Sequence, residues 1–218
     1  MAKSNVDLAR RAEIGAGRRT RTRARLLDAA RTLYGREGGR ATRIEDICEQ
    51  ADIARGTFYN HFTGLDALQA ALFEEISLRF DQAVHVAFEA FGTPAERTSA
   101  AVRYYLTHML DDREWGWCMV NTGMGIGFFH DTVVERVSET IQQGIDAGQF
   151  TIATAEAGRD ILLGAGLASA SSLLAGEVTG RHIEHVAQGV LRALGVTEEE
   201  ARTILAAPLP PLRQVEPG

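Results

Sequence analysis

TRIEDICEQADIARGTFYNHFTGLDAL, residues 42–68, is the stretch that decides the fold of this chain. Thr42 and the glutamate three residues after it match a capping box, and apolar residues then recur at helical spacing to about residue 51. Asp52 and the residue after it predict a tight turn, and a third helix is predicted over 54–61. Two short helices joined by such a turn form a helix-turn-helix.

Helical periodicity continues on both sides of this stretch. Apolar residues from about Thr20 predict a first helix that the pair Gly38-Gly39 ends, and an apolar stripe advancing by four predicts a long helix over 65–91. Later helices are predicted over 94–110, 115–127, 130–147, 155–175 and 179–194. No stretch alternates apolar and polar residues over the length of a β-strand, so we predict an all-α protein with about nine helices.

The net charge of −6 averages two unlike parts of the chain. Residues 1–62 carry 13 Lys and Arg against 8 Asp and Glu, whereas the remainder carries 10 against 21. Five arginines lie within residues 18–25. The positive excess at the front indicates a polyanionic partner, and a solvated basic tail is the alternative that charge alone leaves open.

The segment 42–68 resembles the DNA-binding signature of the tetracycline-repressor (TetR) family, and AARTLYGREG, residues 29–38, resembles that family's first helix. The run RGTFYNHF, residues 55–62, matches the family's recognition helix almost position by position. The resemblance covers residues of about 20 to 70. It implies a homodimer that binds double-stranded operator DNA, most often as a repressor, and that a small-molecule effector controls.

With this resemblance, the prediction becomes an N-terminal three-helix DNA-binding domain followed by a C-terminal helical domain for ligand binding and dimerisation. The predicted parts are a basic flexible arm, the helix-turn-helix domain, the C-terminal domain and a Pro-rich tail, at residues 1–19, 20–64, 65–207 and 208–218.

Three positions depart from the family's pattern. Asp52 stands where the family usually has Gly, and Asp tolerates the backbone of such a turn. Ala54 stands where a hydroxyl residue usually caps the recognition helix, and Ala cannot cap. Leu65 replaces a Lys that binds phosphate in the family, so one backbone contact is expected to be absent.

The predicted DNA-binding residues lie in and before the third helix. Phe58 and Phe62 are four residues apart and are predicted to pack inward. By resemblance, three side chains approach base edges and Gly56 permits close approach, while others hold phosphates. The base-contacting candidates are Arg55, Thr57 and Asn60, and the phosphate-contacting candidates are Tyr59, His61, Thr42 and Arg43.

The middle helices concentrate large apolar and adaptable side chains with few polar ones, which is typical of an apolar ligand pocket. Plain core packing is the alternative for any single member. The predicted ligand-binding residues are Tyr105, His108, Met109, Trp117, Cys118, Asn121, Met124 and Phe128.

The last two predicted helices are the candidate dimerisation elements. Small residues such as Gly164 and Ala168 would let helices approach closely, and a buried pair within one chain is the alternative. The apolar residues proposed for the second helix of the pair are Ile183, Val186, Val190, Leu191 and Leu194.

Other function classes have weaker support. No Ser-His-Asp or Cys-His constellation has a recognisable spacing, so we expect no enzyme activity and no cofactor. A metal site at His108, Cys118 and His130 is conceivable without matching any motif. Control by a protein partner instead of a small ligand is the main alternative function.

The expected compartment is the cytoplasm. Cys48 and Cys118 are the only cysteines, so neither a disulfide framework nor a zinc signature is indicated. No stretch is long and apolar enough for a membrane span, and the first residues lack the apolar core of a signal peptide, so we expect no membrane partner.

Overall fold

The computed structural model describes the backbone of residues 2–123 and 131–212, and side chains over 15–123 and 133–212. These residues form ten α-helices and two short 3-10 turns without a strand, which confirms the all-α prediction and adds one helix to the count. The helices are α1 (Ala2–Tyr34), α2 (Ile44–Ala51), α3 (Arg55–Tyr59), α4 (Leu65–Ala87), α5 (Pro94–Asp111), α6 (Arg113–Gly123), α7 (Asp131–Asp146), α8 (Ala155–Leu174), α9 (His182–Ala193) and α10 (Glu198–Ala206).

Helix α1 is longer than predicted. Its backbone is helical from Ala2, so residues 2–19, which we predicted as a flexible arm, continue this helix. Residues 15–20 are exposed. Because they have no buried face, their sequence shows no apolar periodicity. Alanine and arginine favour the helix by their intrinsic propensity instead. The helix ends at Tyr34, and Gly38 then adopts the left-handed backbone conformation with φ of 74°.

The start of α2 corrects the predicted capping box by one residue. Arg43, not Thr42, occupies the N-cap position, and its backbone N–H donates to Asp46 Oδ2 at 2.8 Å. Thr42 is buried beside the cap. The helix ends at Ala51 as predicted, and Asp52 takes the left-handed conformation with φ of 51°, which aspartate tolerates.

Helix α10 was not predicted. Its N-cap is Thr197, whose hydroxyl accepts a hydrogen bond from the Glu200 N–H at 3.3 Å. The Thr-Glu-Glu-Glu run is the sequence signal that marks this start. Residues after α10 also pack: Leu209 and Leu212 contact the cluster around Val84, and the Tyr104 hydroxyl donates to the Pro210 carbonyl at 2.6 Å. The predicted tail over 208–218 is thus packed as far as residue 212, and the rest lies outside the described residues.

Two hydrophobic cores organise the described helices. One joins α1, α2, α3 and the start of α4, with Tyr34, Phe58 and Leu68 fully buried. The other lies among α4 to α10. Helix α4 contributes to both, because Leu68 lies in the first core and Phe73 in the second. Helix α6 does the same through Cys118 and Met119. None of the described helices is both long and apolar enough to span a membrane.

Candidate nucleic-acid interface and ligand cavity

Helix α3 presents one polar face and one buried face. Phe58 is fully buried and Phe62 is 5% exposed, with ring centroids 5.8 Å apart, which confirms that both pack inward. Tyr59 is 48% exposed, which is a high value for an aromatic side chain in a folded domain. The face that remains for a partner consists of Arg55, Gly56 and Asn60, all exposed, with Thr57 and His61 half-buried beside them.

The N-terminus of α3 lacks a side-chain cap. Ala54 has the extended backbone of an N-cap residue, and no side-chain hydrogen bond satisfies the first amides of the helix. The helix is only five residues long, so Asn60 is its C-cap and His61 lies beyond it. A short, uncapped helix with free amides at its start suits an anionic partner better than it suits independent stability.

Arg55 is held in place by two neighbours. Its guanidinium forms an ion pair of 2.7 Å with Glu45 of α2 and lies 5.9 Å from the centroid of the Tyr59 ring. Both members of the ion pair are more than half exposed, so the pair orients Arg55 more than it stabilises the fold. Arg55 is therefore pre-positioned at the leading edge of the exposed face.

Three arginines of α1 lie along this helix-turn-helix. Arg19 donates to the Asn60 carbonyl at 3.4 Å, and the Arg23 guanidinium lies 5.4 Å from the centroid of the Phe62 ring. Arg25 donates to the Asp52 carbonyl at 3.2 Å. All three side chains are exposed beyond these contacts. The arginine-rich run therefore enlarges the positive surface around α3.

His61 lies within this positive surface. Partial burial lowers the pKa of His61 below its usual value, and the charges of Arg19 and Arg23 lower it further. The imidazole is thus mostly neutral near pH 7 when no anion is bound. An approaching phosphate would reverse the effect of the two arginines and favour the protonated ring.

A cavity of about 420 Å³ lies between α4, α5, α7 and α8, in the middle of the second core. This volume is within the range typical of small-molecule sites. Most of its wall is apolar. The apolar lining residues are Phe73, Val84, Phe88, Ala101, Val102, Leu106, Met109, Met119, Val133, Val137, Ile141, Leu162, Leu163 and Leu167.

A few polar groups interrupt the apolar wall. The Tyr105 hydroxyl donates to the carboxylate of Asp81 across the α4–α5 contact. Burial raises the pKa of Tyr105 well above its usual value, and the Asp81 charge adds to this, so the phenol stays protonated and remains a donor. Arg136 of α7 faces the same pair, and Thr98 lines the cavity two helical turns before Tyr105.

The structure brings only two of the predicted ligand residues to this cavity, Tyr105 and Met109. His108, Trp117, Cys118 and Asn121 are not in its wall. Met124 and Phe128 lie outside the described residues.

His108 belongs to an aromatic stack outside the cavity. Its ring lies parallel to Phe80 at 4.2 Å, and Trp115 packs against both, with its Nε1–H donating to the Ile76 carbonyl at 2.9 Å. Trp117 is half-buried against the second core. At His108 and Trp117 the large side chains therefore serve core packing, which was the alternative to ligand binding.

Cys118 and Asn121 connect α6 to the end of α1. The Cys118 sulfur lies 3.3 Å from the Arg31 carbonyl, and burial raises the pKa of its thiol to about 12. The Asn121 side-chain amide donates to the Tyr34 carbonyl at 2.7 Å and to the Arg36 carbonyl at 2.9 Å. These two residues thus join the two cores and are not placed to bind a ligand.

The described residues give no geometric support for a metal site at His108, Cys118 and His130. His108 stacks on Phe80, and the Cys118 thiol points to α1, while His130 lies outside the described residues. Among side chains 15–123 and 133–212, no group of three His, Cys, Asp or Glu residues is close enough to hold a metal ion.

The cavity residues that the sequence did not reveal come chiefly from α4, α5, α7 and α8. Asp81 follows Phe80 in α4, but the same helix also carries Asp66, Glu74 and Glu75, so the sequence gives no distinct signal for it. On α7, Val133, Val137 and Ile141 advance by four, which marks an inward face but not a cavity.

The predicted dimerisation residues divide into buried and exposed sets. Four of the five apolar residues proposed at α9 and its C-cap are buried. Packing within one chain, the alternative to dimerisation, therefore accounts for Ile183, Val190, Leu191 and Leu194. On α8, Ile161 is 37% exposed, and Gly164 and Ala168 are exposed on the same face. A stripe of small and apolar residues therefore remains uncovered on α8.

Both parts of the chain match models of known families. Residues 26–72 match bacterial regulatory proteins of the tetR family, and residues 93–207 match the tetracyclin repressor-like C-terminal domain. KstR, an HTH-type transcriptional repressor of Mycolicibacterium smegmatis, is 32% identical over 103 residues, which is 45% of this chain. The matched segment spans 48% of KstR, about half the length of this curated relative.

Solved structures resemble nearly the whole chain. The structure of RolR in complex with resorcinol has a TM-score of 0.65 and 30% identity, and the match covers 91% of this chain and all of RolR. FadR of Bacillus subtilis with stearoyl-CoA has a TM-score of 0.59 at 16% identity, covering 80% of this chain and 98% of FadR. At that identity the likeness to FadR shows the fold alone.

Proposed function

The chain belongs to the tetR family of bacterial regulatory proteins, and from this premise we propose that it is a repressor released from its operator when a small, largely apolar effector fills the cavity. It is a DNA-binding transcriptional regulator of a non-enzymatic family.

The observation that carries the proposal is the path of α4. Its first turns pack in the DNA-binding core through Leu68 and Leu72, and its later turns line the cavity through Asp81 and Val84. One helix therefore touches both sites. A ligand that binds one position of α4 better than another shifts the population of DNA-binding conformations, whereas equal affinity for both would shift nothing.

On DNA, the proposal places α3 in the major groove. Arg55, Thr57 and Asn60 would contact base edges, and Gly56 allows the backbone to approach. Phosphates would be held by Tyr59 and His61 together with Thr42 and Arg43 at the start of α2. The exposed arginines of α1 support added phosphate contacts at the flank of the site.

Two relatives support the regulatory part of the proposal. KstR is named a repressor, and RolR was solved with the small aromatic molecule resorcinol. RolR is similar over 91% of this chain. These likenesses favour control by a small molecule over control by a protein partner.

We further propose a homodimer that uses the exposed stripe of α8. A symmetric dimer can hold two recognition helices about 34 Å apart, one helical turn of DNA, so that both enter successive major grooves. Ile161, Gly164 and Ala168 form a surface onto which the same helix of a second copy can pack closely.

The test begins with selection of bound sequences from a random duplex library, followed by DNA-binding titrations on the selected site. Affinity should fall steeply with salt, since log K falls by about 0.9 per neutralised phosphate per unit of log salt. A thermal-shift screen of small molecules should then find compounds that stabilise the protein and also release the DNA. Stabilising compounds that never release DNA, or no selected site, would contradict the proposal.

Substitutions separate the proposed roles. Arg55→Ala and Asn60→Ala should each relax base preference at one position by about 1 to 3 kcal/mol, whereas Tyr59→Phe should weaken all sequences alike. Uniform losses from all three substitutions would refute the assignment.

A further inference from the structure

Thr98 places a hydroxyl group without a hydrogen-bond partner in the cavity wall. The residue is 1% exposed, and its Oγ1 forms no hydrogen bond with any of the described residues. A threonine within a helix can donate to the carbonyl four residues earlier, as Thr122 does to the Cys118 carbonyl at 2.7 Å. Thr98 makes no such bond. A buried polar group without a partner costs stability, so a partner brought by a ligand would be favourable.

Other donors in the same wall already have partners. The Arg97 side chain donates to Gln143 Oε1 at 2.8 Å, and Thr140 Oγ1 donates to the Arg136 carbonyl at 3.0 Å. Thr98 differs from these two residues because a ligand can bond to it without replacing an existing partner.

Thr98 lies near the amino-terminal end of the face that α5 turns to the cavity. Ala101, Val102, Leu106 and Met109 continue this face. Met109 follows Thr98 by 11 positions, which corresponds to about 16 Å along the helix axis. The α5 wall thus presents a free hydroxyl at one end of a mostly apolar surface.

We propose that the effector is an uncharged, elongated molecule with a carbonyl group at one end of an apolar body, and that Thr98 Oγ1 donates a hydrogen bond to this carbonyl. The inference rests on the proposed function and names the chemical class that the same cavity selects. The apolar body would lie along α5 from Thr98 toward Met109. The cavity of about 420 Å³ is large enough for two linked rings.

The free hydroxyl favours a ligand that brings an acceptor. Buried donors without an acceptor are rarer in proteins than under-satisfied carbonyl oxygens. A ligand carbonyl accepts the Thr98 proton and brings no proton of its own. If the ligand brought a hydroxyl instead, one of the two protons would remain without an acceptor in this contact.

The burial of Thr98 argues against a carboxylate ligand at this position. Removing a carboxylate from water costs more than one hydrogen bond from a neutral hydroxyl returns. Arg97 and Arg136 line the cavity together with Glu89 and Glu139, so the wall carries no excess of positive charge that would offset this cost.

Four probes with a shared two-ring skeleton test the class: 4-cyclohexylcyclohexanone, the hydrocarbon bicyclohexyl, 4-cyclohexylcyclohexanol and the anion 4-cyclohexylcyclohexanecarboxylate. Equilibrium dialysis, with the free probe measured by chromatography, gives the dissociation constants. We expect the ketone to bind about threefold or more tightly than the alcohol, and about tenfold or more tightly than the carboxylate. A ketone that does not bind, or that binds no more tightly than the alcohol or the carboxylate, would overturn the inference.

Thr98→Val assigns the effect to the hydroxyl, which valine replaces with a methyl group of similar size. Affinity for the ketone should fall about tenfold or more, because its carbonyl would be buried without a donor. Bicyclohexyl has no acceptor, so it should bind at least as tightly as before. No loss for the ketone, or an equal loss for both probes, would overturn the assignment.

Ser99→Ala is the matched control. Ser99 is also 1% exposed and its hydroxyl also lacks a hydrogen-bond partner among the described residues, but it is absent from the cavity wall. Its loss should leave the affinities for all four probes unchanged. If Ser99→Ala weakens the ketone as much as Thr98→Val does, the effect does not come from a contact in the cavity and the assignment falls.

The pair Thr98→Ser and Thr98→Ala keeps the test decisive if Thr98→Val fails to fold. Serine keeps the hydroxyl, so its affinity for the ketone should stay within about threefold of the wild type, whereas alanine should lose about tenfold or more. Equal losses in the two variants would show that the side-chain volume matters and the hydroxyl does not.

Release of operator DNA separates this inference from the proposed function. The ketone should release the operator from the wild type at lower concentration than from Thr98→Val. If the carboxylate releases the operator and the ketone does not, the regulator stands and the carbonyl class falls. If the protein binds no operator, the proposed function falls, whereas binding of the ketone that depends on Thr98 would still support the site.

Discussion

At the residue scale, His61 links DNA binding to pH. Burial and the two neighbouring arginines lower its pKa in the free protein, and a bound phosphate should raise it. Binding therefore takes up a proton, so the added affinity is complete below the pKa of the free protein and is lost as pH rises through the higher pKa of the complex.

We predict that operator affinity increases as pH is lowered from about 8 to 6, by at most about tenfold per pH unit for each protomer bound. Titrations of operator DNA at constant ionic strength measure the slope, and His61→Gln should remove it. His182→Gln, which changes a histidine at the start of α9, should keep the slope. The same slope in the wild type and His61→Gln would show that another group takes up the proton.

Asn121 gives a second prediction at this scale. Its amide donates to two carbonyls at the end of α1, and the side chain is only 5% exposed. Asn121→Ala leaves both acceptors without this partner, so the free energy of unfolding should fall by about 1 to 3 kcal/mol in urea denaturation.

The matched control for Asn121 is Gln142→Ala. Gln142 is an exposed amide on α7 that donates to Asp146 at 2.8 Å, and its loss should change stability by less than about 0.5 kcal/mol. Similar losses for both variants would mean that the contact between α6 and α1 contributes nothing special to the fold.

At the scale of the element, the recognition helix lacks a cap that can be added. Ala54 already has the backbone conformation of an N-cap residue, with φ of −64° and ψ of 143°. We predict that Ala54→Ser raises the free energy of unfolding by about 0.5 to 2 kcal/mol, because its hydroxyl can accept from a free amide of α3. Urea denaturation measures the gain.

The reverse substitution elsewhere calibrates this gain. Thr154 caps α8 by accepting from the Ala157 N–H at 3.2 Å, so Thr154→Ala should lower stability by a similar amount. If Thr154→Ala lowers stability while Ala54→Ser does not raise it, α3 gains nothing from a cap.

How much the sequence predicted depends on how local each signal is. The helix-turn-helix was predictable because the cap at α2, the turn at Asp52 and the inward Phe58 and Phe62 all lie within one short segment. The helical start of α1 was not predicted, because it shows no apolar periodicity, and its residues 15–20 are exposed. Helix α10 had a local signal in Thr197 and Glu200 that the Pro-rich residues after it obscured.

The cavity depends on contacts that no local pattern contains. Asp81 and Arg136 are separated by 55 positions and come near Tyr105 only when α4, α5 and α7 pack together. Large aromatic residues in the middle helices pointed to the right part of the chain, but Trp117 and Asn121 serve packing and helix contacts there. Composition thus located the domain and not the site.

At the scale of the whole molecule, the proposed dimer can be broken without harming the fold. Gly164 lies on the exposed stripe of α8, and a Cβ atom added there would meet nothing within 4 Å in the single chain. We predict that Gly164→Arg leaves the thermal stability of the chain nearly unchanged and makes it monomeric by light scattering. Operator affinity should fall about a hundredfold or more, because each half-site must then be bound alone.

Ala147→Arg is the control for Gly164→Arg, since residue 147 is exposed and follows α7, outside α8. It should remain dimeric with normal operator affinity. A Gly164→Arg variant that is still dimeric would place the interface on another surface.

The stack of Phe80, His108 and Trp115 has a practical consequence. The indole of Trp115 is 4% exposed, is bonded to the Ile76 carbonyl of α4, and lies 6.5 Å from the ring of Tyr105 in the cavity wall. The ultraviolet emission of an indole depends on its surroundings. Trp115 is in direct contact with α4, the helix that joins the DNA-binding core to the cavity. Trp115 is therefore an optical reporter of α4, and in a Trp117→Phe variant, which leaves it as the single tryptophan, movement of that helix can be followed in real time without any attached dye.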